Sequence, residues 1–342
     1  MTPSGATPPR WRQQGAALLL AMLTVTLVAT LAAAAAWQQW RSIEIEMAER
    51  QRSQASWILT GALDWSRLIL REDARGNRNS GNADHLAEPW AMPLEESRLS
   101  TFLAADRNNN ADDVMEAFLS GRIMDLQGRL NFRNLLAAAG SGKAPTLSPP
   151  DMAAFRRLYA SLNLPVEELE AAVQLLLASM RQAEEDAKPS PSPLMPQRFE
   201  QLSWLGISPE SLRVLTPHVT LLPANTRVNL NTASAEVLAA TLEGVETGLA
   251  RQLVAQREAT PFTSLDDVRR YLPEGLQEAV NSERHDVRSQ YFEIHGRLRL
   301  GDTVIEEKSV VVRSGLQVSV RWRQRSSRLD QPPGRISGQA RQ

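Results

Sequence analysis

The chain has 342 residues, enough for two or three domains, and its 38 Lys and Arg residues nearly balance its 39 Asp and Glu residues. This near-neutral charge gives no general signal for binding a polyanion. The absence of cysteine excludes a disulfide framework, a thiolate metal site and a cysteine nucleophile.

The N-terminal region combines a short basic leader with a long apolar segment. Arg10 and Arg12 precede the uncharged run AALLLAMLTVTLVATLAAAAA, which begins at Ala16 and would span about 30 Å as a helix. Because this length matches the hydrocarbon core of a bilayer, we expect a transmembrane helix. The basic leader predicts a cytoplasmic N-terminus, and Trp37 and Trp40 suit the opposite interface, so the rest of the chain would lie outside the cytoplasm.

The helical pattern continues past this run. Apolar residues recur every three or four positions, at Ile58, Ala62, Trp65 and Ile69. This spacing predicts an apolar helix face, so one long helix would begin in the bilayer and end near Arg75, before the Gly- and Asn-rich segment at 76–82. The alternative is a secretory signal cleaved among the alanines at 32–36, but such a signal has a shorter apolar region.

The middle of the chain changes between strand and helix patterns. The stretch SGRIMDLQGRLNFRNLL at 120–136 predicts two short strands around a turn at Gln127 and Gly128. From about residue 150 the apolar residues recur at helical spacing, which predicts a mostly helical region. The Pro-rich stretch at 188–196 predicts an extended linker within that region.

The C-terminal part returns to strands. Apolar and polar residues alternate from Tyr291 to Arg313 on both sides of a turn at Gly301 and Asp302, which predicts a β-hairpin. The following sequence GLQVSVRWRQR predicts one more strand, and the residues at 326–342 are expected to be disordered. Strands on both sides of a helical block indicate one sheet interrupted by an insertion.

The leader, the glycine at its end, the apolar helix and the small sheet together resemble the type IV pilin and pseudopilin class. In that class the prepilin peptidase cuts after the leader glycine on the cytoplasmic side and methylates the new N-terminus. The resemblance implies that Gly15 precedes the cut and that Ala16 becomes the N-terminus. Ala16 departs from the class, because an aromatic residue or methionine is usual at this position.

The fifth mature position narrows the resemblance. Most members of the class carry Glu there, whereas this chain has Leu20. Lacking this Glu is typical of the K subunit of the type II secretion system, the largest minor pseudopilin. Four other stretches resemble that family, namely SWILTGALDWSRLILRED at 56–73, EPWAMPL at 88–94, SGRIMDLQGRLNFRNLL at 120–136 and VNLNTASAEVL at 228–238.

The resemblance implies an α+β fold. A long N-terminal transmembrane helix would pack on a small antiparallel sheet, and a large helical domain would be inserted into the sheet sequence. The expected segments are a leader at 1–15, a transmembrane helix at 16–40, the first part of a pilin-like domain at 41–137, an inserted helical domain at 138–287, C-terminal pilin-like strands at 288–325 and a disordered tail at 326–342.

The resemblance also implies a function in protein secretion. The chain would cap the periplasmic pseudopilus with I- and J-like subunits and help to initiate its assembly. Further expected partners are an H-like minor pseudopilin, the prepilin peptidase and the inner-membrane assembly platform. The protein would reside in the bacterial inner membrane with its C-terminal domains in the periplasm. A third reading is a single-pass membrane protein with an unrelated periplasmic domain.

Calcium is reported for subunits of this family, but the acidic, Asp-Trp-containing stretch expected before the Pro-rich linker is missing here. A separate loop has oxygen-bearing side chains at alternate positions, at Asp106, Asn108, Asn110 and Asp112. Ala111 occupies the position of the turn glycine of a calcium loop, and Ala117 occupies that of the closing Glu. The sequence therefore favours a solvated loop over a calcium site.

The segment at 228–257 resembles a helix-hairpin-helix module, in which backbone N–H groups at the hairpin hold a DNA phosphate. Thr232 is the predicted cap of its first helix. Glu243 and Glu246 flank Gly244 at the hairpin, and two carboxylates oppose phosphate binding. We therefore expect a hairpin that serves protein contacts and no nucleic acid partner. The alternative is a membrane-anchored, exported DNA-binding protein.

The sequence shows no catalytic pattern. The stretch GSGK at 140–143 resembles a phosphate loop, but Ala137 and Ala144 replace its first glycine and its Ser or Thr. The histidines at 85, 218, 285 and 295 lack the local spacing of a metal-binding helix. We expect no enzymatic activity and no cofactor.

Overall fold

The computed structural model describes the residues 14–77, 83–99, 117–137, 146–184, 193–301 and 303–329. The chain divides into two compact units, Met1–Ile58 and Leu59–Gln342. The first helix, α1 (Gln14–Asn77), begins in the first unit and ends in the second. The prediction of one long N-terminal helix is therefore confirmed.

The described part of the first unit is helical. Its apolar side chains from Leu18 to Leu31 are exposed, and the most apolar window of α1 has a mean hydropathy of 2.3. Among the described residues, α1 is the one helix long and apolar enough to cross a membrane. These properties fit a single-pass membrane anchor.

The second unit contains the remaining described elements. Its further α-helices are α2 (Pro149–Ser161), α3 (Val166–Glu184), α4 (Pro209–Leu215), α5 (Ala235–Thr241), α6 (Thr247–Ala259) and α7 (Leu265–Arg270). Its strands are β1 (Leu94–Arg98), β2 (Ala117–Asp125), β3 (Leu130–Asn131), β4 (Val219–Thr220), β5 (Val228–Asn229), β6 (His285–Asp286), β7 (Tyr291–Leu300), β8 (Thr303–Ser314) and β9 (Gln317–Leu329). Short 3-10 helices lie at Pro89–Ala91, Phe132–Leu135, Phe199–Leu205 and Glu274–Ala279.

Five strands form an antiparallel sheet in the order β1-β2-β7-β8-β9. Strand β2 pairs with β7 over its full length, so that Ile123 lies opposite Ile294. The predicted hairpin of β7 and β8 is confirmed, and its turn contains Gly301 at a φ of 54°. The helical region enters between β2 and β7, which confirms the α+β fold with an insertion.

The part of α1 that belongs to the second unit packs against one face of this sheet. Leu63 and Leu70 are buried with Phe292, Ile294 and Val311. Burial of each leucine stabilises the packing by about 1.5–3 kcal/mol. Trp90 fills the same layer and meets the Phe292 ring edge-on, with ring centroids 5.2 Å apart.

Gly296 lets α1 approach the sheet closely. A Cβ atom built on Gly296 would lie 3.2 Å from Cδ2 of Leu59, so a larger residue would displace one of the two elements. Its cross-strand neighbour is Gly121, whose added Cβ would lie 2.9 Å from the carbonyl oxygen of His295. Gly296 therefore makes room for Leu59 of α1, whereas Gly121 makes room for the backbone of the neighbouring strand β7.

A β-bulge in β9 places the side chains of Val320 and Trp322 on opposite faces of the sheet. Val310 pairs with Trp322 and Val311 with Val320, which leaves Arg321 as the extra residue. Val320 packs on the face that contacts α1, whereas Trp322 packs on the opposite face with Leu126 and Leu222. Strict alternation would place Val320 and Trp322 on the same face.

The helical region has a core of its own, built from α2 to α7 and the segments between them. Its largest buried side chains are those of Phe132, Phe155, Leu158, Tyr159, Leu169, Leu176 and Phe262. Leu130 and Leu135 also pack in this core. The chain thus joins the helical region before residue 138, because the pairing of β2 with the sheet ends at Asp125.

The predicted start of the tail at residue 326 is wrong. Strand β9 extends to Leu329, because β8 continues to Thr303 and its first residues pair with the end of β9. The residues at 330–342 lie outside the described part of the chain. The same holds for the first part, 188–192, of the predicted linker at 188–196.

Tyr159 provides a test of the helical core. Its side chain is fully buried, and its hydroxyl has no hydrogen-bond partner among the described residues. Because an unsatisfied buried hydroxyl is unfavourable, Tyr159→Phe should raise the free energy of unfolding by about 1 kcal/mol in chemical denaturation. As a control, Tyr271→Phe removes an exposed hydroxyl and should change it by less than about 0.5 kcal/mol. A destabilised Tyr159→Phe protein would contradict this description of the core.

Candidate functional site

A buried polar joint connects the sheet to the helical region. It consists of Asp125 at the end of β2, Asn229 in β5, Thr232 after it and Ser289 before β7. Asn229 is fully buried, and its side-chain amide donates to Oδ2 of Asp125 at 3.1 Å. Asn229 and Thr232, which lie in the VNLNTASAEVL stretch, therefore connect the helical region to the sheet.

Asp125 lies at the centre of the joint. Its carboxylate accepts hydrogen bonds from Oγ1 of Thr232 at 2.5 Å and from Oγ of Ser289 at 2.6 Å. The backbone N–H of Gln127 donates to its other oxygen at 2.7 Å. Burial raises the pKa of Asp125, and the hydrogen bonds from Ser289 and Thr232 lower it. The joint thus holds a carboxyl group that four donors surround.

The turn at Gln127 and Gly128 has a glycine because two backbone segments meet there. A Cβ atom on Gly128 would lie 2.8 Å from Oγ1 of Thr232 and 2.9 Å from its carbonyl oxygen. Gln127 adds two further contacts, because its side chain donates to the carbonyl of Arg227 at 3.0 Å and accepts from the backbone N–H of Gln290 at 2.6 Å. The predicted turn is therefore also a contact with the helical region.

Asn231 fixes the helices behind the joint. Its side chain donates to the carbonyl oxygen of Phe262 at 2.8 Å and accepts from the N–H of Phe262 at 2.9 Å. Arg257 on α6 donates to the carbonyl oxygen of Leu230 at 2.6 Å, and burial lowers the pKa of Arg257 to about 10. These two contacts connect α6 and the start of α7 to the joint.

The predicted cap at Thr232 is wrong. Ser234 caps α5 by accepting a hydrogen bond from the N–H of Val237, because the hydroxyl of Thr232 is used by Asp125 instead. His285 is fully buried beside α5 and bonds to Thr241 at 2.9 Å. Burial lowers the pKa of His285 to about 3, so its ring is neutral and structural.

The helix-hairpin-helix segment forms α5 and α6, with Gly244 at a φ of 79° in the connection. Gly244 is exposed, and a Cβ atom added to it would lie 2.8 Å from Cδ2 of Leu276, so a larger residue would meet this side chain. Glu243 and Glu246 are exposed beside it. Arg157 of α2 donates to the carbonyl oxygen of Ala240 at 2.8 Å. The hairpin is thus used for internal packing.

A second polar cluster, which we call the Arg313 cluster, lies at the end of α1. It contains Asp73, Asp84, Glu88 and Arg313. Among the described residues, its three carboxyl groups are the one set with the spacing of metal ligands, and Arg313 pairs with two of them. Arg313 is far from the other three residues in the chain and joins them only through the fold, so no local sequence pattern indicates the cluster.

The other predicted site residues lie apart from both clusters. Gly15 and Ala16 lie in the first turns of α1, and the side chain of Leu20 is exposed on the same helix. The predicted calcium loop lies outside the described residues. In the described part of the chain, no histidine belongs to a set of metal ligands.

Two stretches of the chain match the family described as type II secretion system (T2SS), protein K, at residues 128–224 and 228–288. The type II secretion system protein K of Pseudomonas aeruginosa is 28% identical over 85% of this chain and 86% of its own length. That of Pectobacterium carotovorum subsp. carotovorum is 26% identical over 92% of this chain and 97% of its own length.

A solved structure has the same fold. It is a chain from the crystal structure of the GspK-GspI-GspJ complex of the enterotoxigenic Escherichia coli type 2 secretion system. The similarity has a TM-score of 0.58 at 16% identity, and it covers 82% of this chain and 98% of that chain.

The protein combines an apolar N-terminal helix, an antiparallel sheet against which the second part of this helix packs, and a helical insertion. Together with the matches above, this architecture is that of a minor pseudopilin, a structural component of a secretion machine. The two family matches lie on the helical insertion and include the joint residues Asn229 and Thr232. The chain belongs to the type II secretion system protein K family.

Gly128 provides a test of the joint. Gly128→Ala should lower the free energy of unfolding by about 1–3 kcal/mol, because the added methyl group meets Thr232 and its backbone. The measurement is chemical denaturation of the full chain in detergent micelles. Gly275→Ala is the matched control, since a Cβ there has nothing within 4 Å. Equal effects of the two substitutions would show that the turn does not depend on this close approach.

Proposed function

We propose that this protein caps the tip of the periplasmic pseudopilus together with I- and J-like subunits and helps to initiate its assembly. The observation that carries the proposal is the fold likeness to a chain of the GspK-GspI-GspJ complex, which extends over 98% of that chain. That crystal structure contains GspK together with GspI and GspJ, and we propose the same kind of partners for this protein.

The size of the helical insertion supports a place at the tip. The described residues from Leu130 to Val287 form a large helical region with its own core, and none of them belongs to a strand of the five-stranded sheet. Such a layer would hinder the stacking of another subunit above it. The action of the protein would therefore be mechanical, and we propose neither a catalytic role nor a cofactor. The alternative proposal is a calcium ion at the loop of Asp106, Asn108, Asn110 and Asp112.

Leu20 also supports a position at the tip of the pseudopilus. In subunits of the filament body, the carboxylate at the fifth mature position is expected to meet the N-terminus of the subunit above. Without that partner, a charge buried in the membrane costs several kcal/mol. A tip subunit has nothing above it, so an apolar residue suits this position.

The remaining partners and the location follow from the same class. We propose that the chain lies in the bacterial inner membrane with a cytoplasmic N-terminus and periplasmic C-terminal domains. The prepilin peptidase would process it between Gly15 and Ala16. An H-like pseudopilin and the inner-membrane assembly platform would be further partners.

Processing is the first test of the proposal. In cells with a prepilin peptidase, mass spectrometry should find a mature chain that begins at Ala16 and is N-methylated, and Gly15→Val should leave the leader attached. Gly61→Ala, a substitution at an exposed glycine of the same helix, should be processed normally. A mature N-terminus at 32–37 would identify a secretory signal and overturn the proposal.

The second test concerns Leu20. Leu20→Ala should leave assembly nearly intact, whereas Leu20→Glu should impair membrane packing or admit the subunit into the filament shaft. Labelled subunits, located on isolated filaments, are the measurement. Leu19→Glu is the control for a charge at an equally exposed neighbouring position. Wild-type label along the filament length would rule out the tip, as would loss of secretion in a stable, cleaved Leu20→Ala protein.

The alternative function is that of a membrane-anchored, exported DNA-binding protein with a helix-hairpin-helix module. Duplex DNA binding at physiological salt that weakens with added salt and is lost in Gly244→Ala would favour it. The exposed carboxylates of Glu243 and Glu246 beside Gly244 oppose phosphate binding and so favour the secretion role instead.

A further inference from the structure

The Arg313 cluster contains more negative than positive charge. Nη1 of Arg313 lies 2.7 Å from Oδ2 of Asp73, and Nη2 of Arg313 also pairs with Asp84. The carboxyl oxygens of Asp73, Asp84 and Glu88 lie within 4.8 Å of one another. The side chains of Asp73, Asp84 and Arg313 are each at least nine-tenths buried. Three ionised carboxylates would leave two uncompensated negative charges in this buried place.

The surrounding groups do not supply the missing positive charge. On α1, Asn77 donates from its neutral amide to both Asp73 and Asp84 at 3.4 Å. In the 83–91 segment, the backbone N–H of His85 and Nε1 of Trp90 donate to Oε2 of Glu88 at 2.9 and 2.7 Å.

The segments behind the cluster do not supply it either. Ser289 contributes a backbone N–H to Asp84 and a carbonyl oxygen to Arg313. Asp125, the next acidic group, adds repulsion toward Asp84. Arg227 and Arg288 line the same pocket as Asp84 and Arg313, but both pair with Asp286, at 3.2 and 3.3 Å. The groups that contact the three carboxyl groups directly, apart from Arg313, are therefore neutral.

Buried carboxyl groups at this separation cannot all stay ionised with a single guanidinium, because desolvation and repulsion both favour the protonated form. We propose that the folded Arg313 cluster holds one shared proton, and that loss of this proton loosens the 83–91 segment from α1 and β8. The cluster would thus make the attachment at the end of α1 depend on pH. This inference does not rest on the proposed tip function.

Asp73 is the group that best holds the proton. Together, the surroundings raise the pKa of Asp73 from 3.8 to about 7: burial is the largest cause, repulsion from Glu88 adds to it, and Arg313 opposes it. Burial also raises the pKa of Asp84, but the ion pair with Arg313 and the N–H of Ser289 oppose this effect. The folded state therefore binds a proton more tightly than the unfolded chain. Its contribution to stability is complete below pH 3.8 and is lost as the pH rises to about 7.

Loss of the proton can also affect the polar joint, because Ser289 contacts both clusters. Asp84 accepts from the backbone N–H of Ser289 at 2.6 Å, and the hydroxyl of Ser289 donates to Asp125 at 2.6 Å. Opening of the 83–91 segment would remove the first of these contacts. Ser289 would remain attached to Asp125, so we expect local opening and not unfolding of the whole unit.

Hydrogen exchange of the full chain in detergent micelles tests the inference. After correction for the chemical exchange rate, the protection of the amides at 83–91 should fall about tenfold per pH unit between about pH 5 and 6.5 and level off above about pH 7.5. Asp73→Asn removes the titrating group, and the slope of log protection against pH should decrease by about one. Asp64→Asn, at an exposed aspartate of the same helix, should retain the wild-type slope.

Glu88→Gln is the second variant, in case Asp73→Asn does not fold. It removes one negative charge but keeps an oxygen that can accept from Trp90 and His85. The levelling of protection should then occur at a lower pH than in the wild type. The proposal is overturned if wild-type protection is independent of pH, if Asp73→Asn keeps the wild-type slope, or if Glu88→Gln levels off at the wild-type pH.

Discussion

The buried carboxylate of Asp125 is the contact on which the second unit depends. It ends the strand β2, and its hydrogen bonds reach Thr232 in the helical region and Ser289 in front of β7. A buried carboxyl group of this kind is stable only while its hydrogen-bond partners are present, since removal of one partner leaves an unsatisfied group at a cost of about 1–3 kcal/mol. The chain therefore leaves the sheet and returns to it at the same polar contact.

The segment that resembles a helix-hairpin-helix module uses its side chains for contacts within the fold. The backbone geometry of the hairpin is present, with a glycine in the left-handed region. However, two exposed carboxylates, Glu243 and Glu246, lie beside that glycine, and the guanidinium of Arg157 donates to a carbonyl oxygen of α5. Side-chain chemistry, and not the path of the chain, decides whether such a module meets a phosphate.

The order of the elements could be predicted from the sequence because their signals are local. The apolar run, the alternation from Tyr291 to Arg313 and the helical spacing after residue 150 each depend on nearby residues. The bulge at Arg321 could not, since strict alternation places Val320 and Trp322 on one face.

The polar contacts were harder to predict. Asp125 precedes a turn glycine and accepts from the N–H two residues on, a local signal of an Asp turn. Its link to Thr232 and Ser289 depends on tertiary structure. The Arg313 cluster gave no signal at all, because its members come from a helix, a loop and a distant strand.

The pairing of β2 with β7 has a consequence for how the protein folds. These two strands are neighbours in the sheet, although the entire helical region separates them in sequence. Closing so long a loop is entropically unfavourable and slow, unless the intervening chain has already become compact. The helical region has its own core and can do so first. We therefore expect β2 to keep an open hydrogen-bonding edge until β7 pairs with it, which makes the edge of this central strand the place where the newly synthesised chain is most exposed to misassembly.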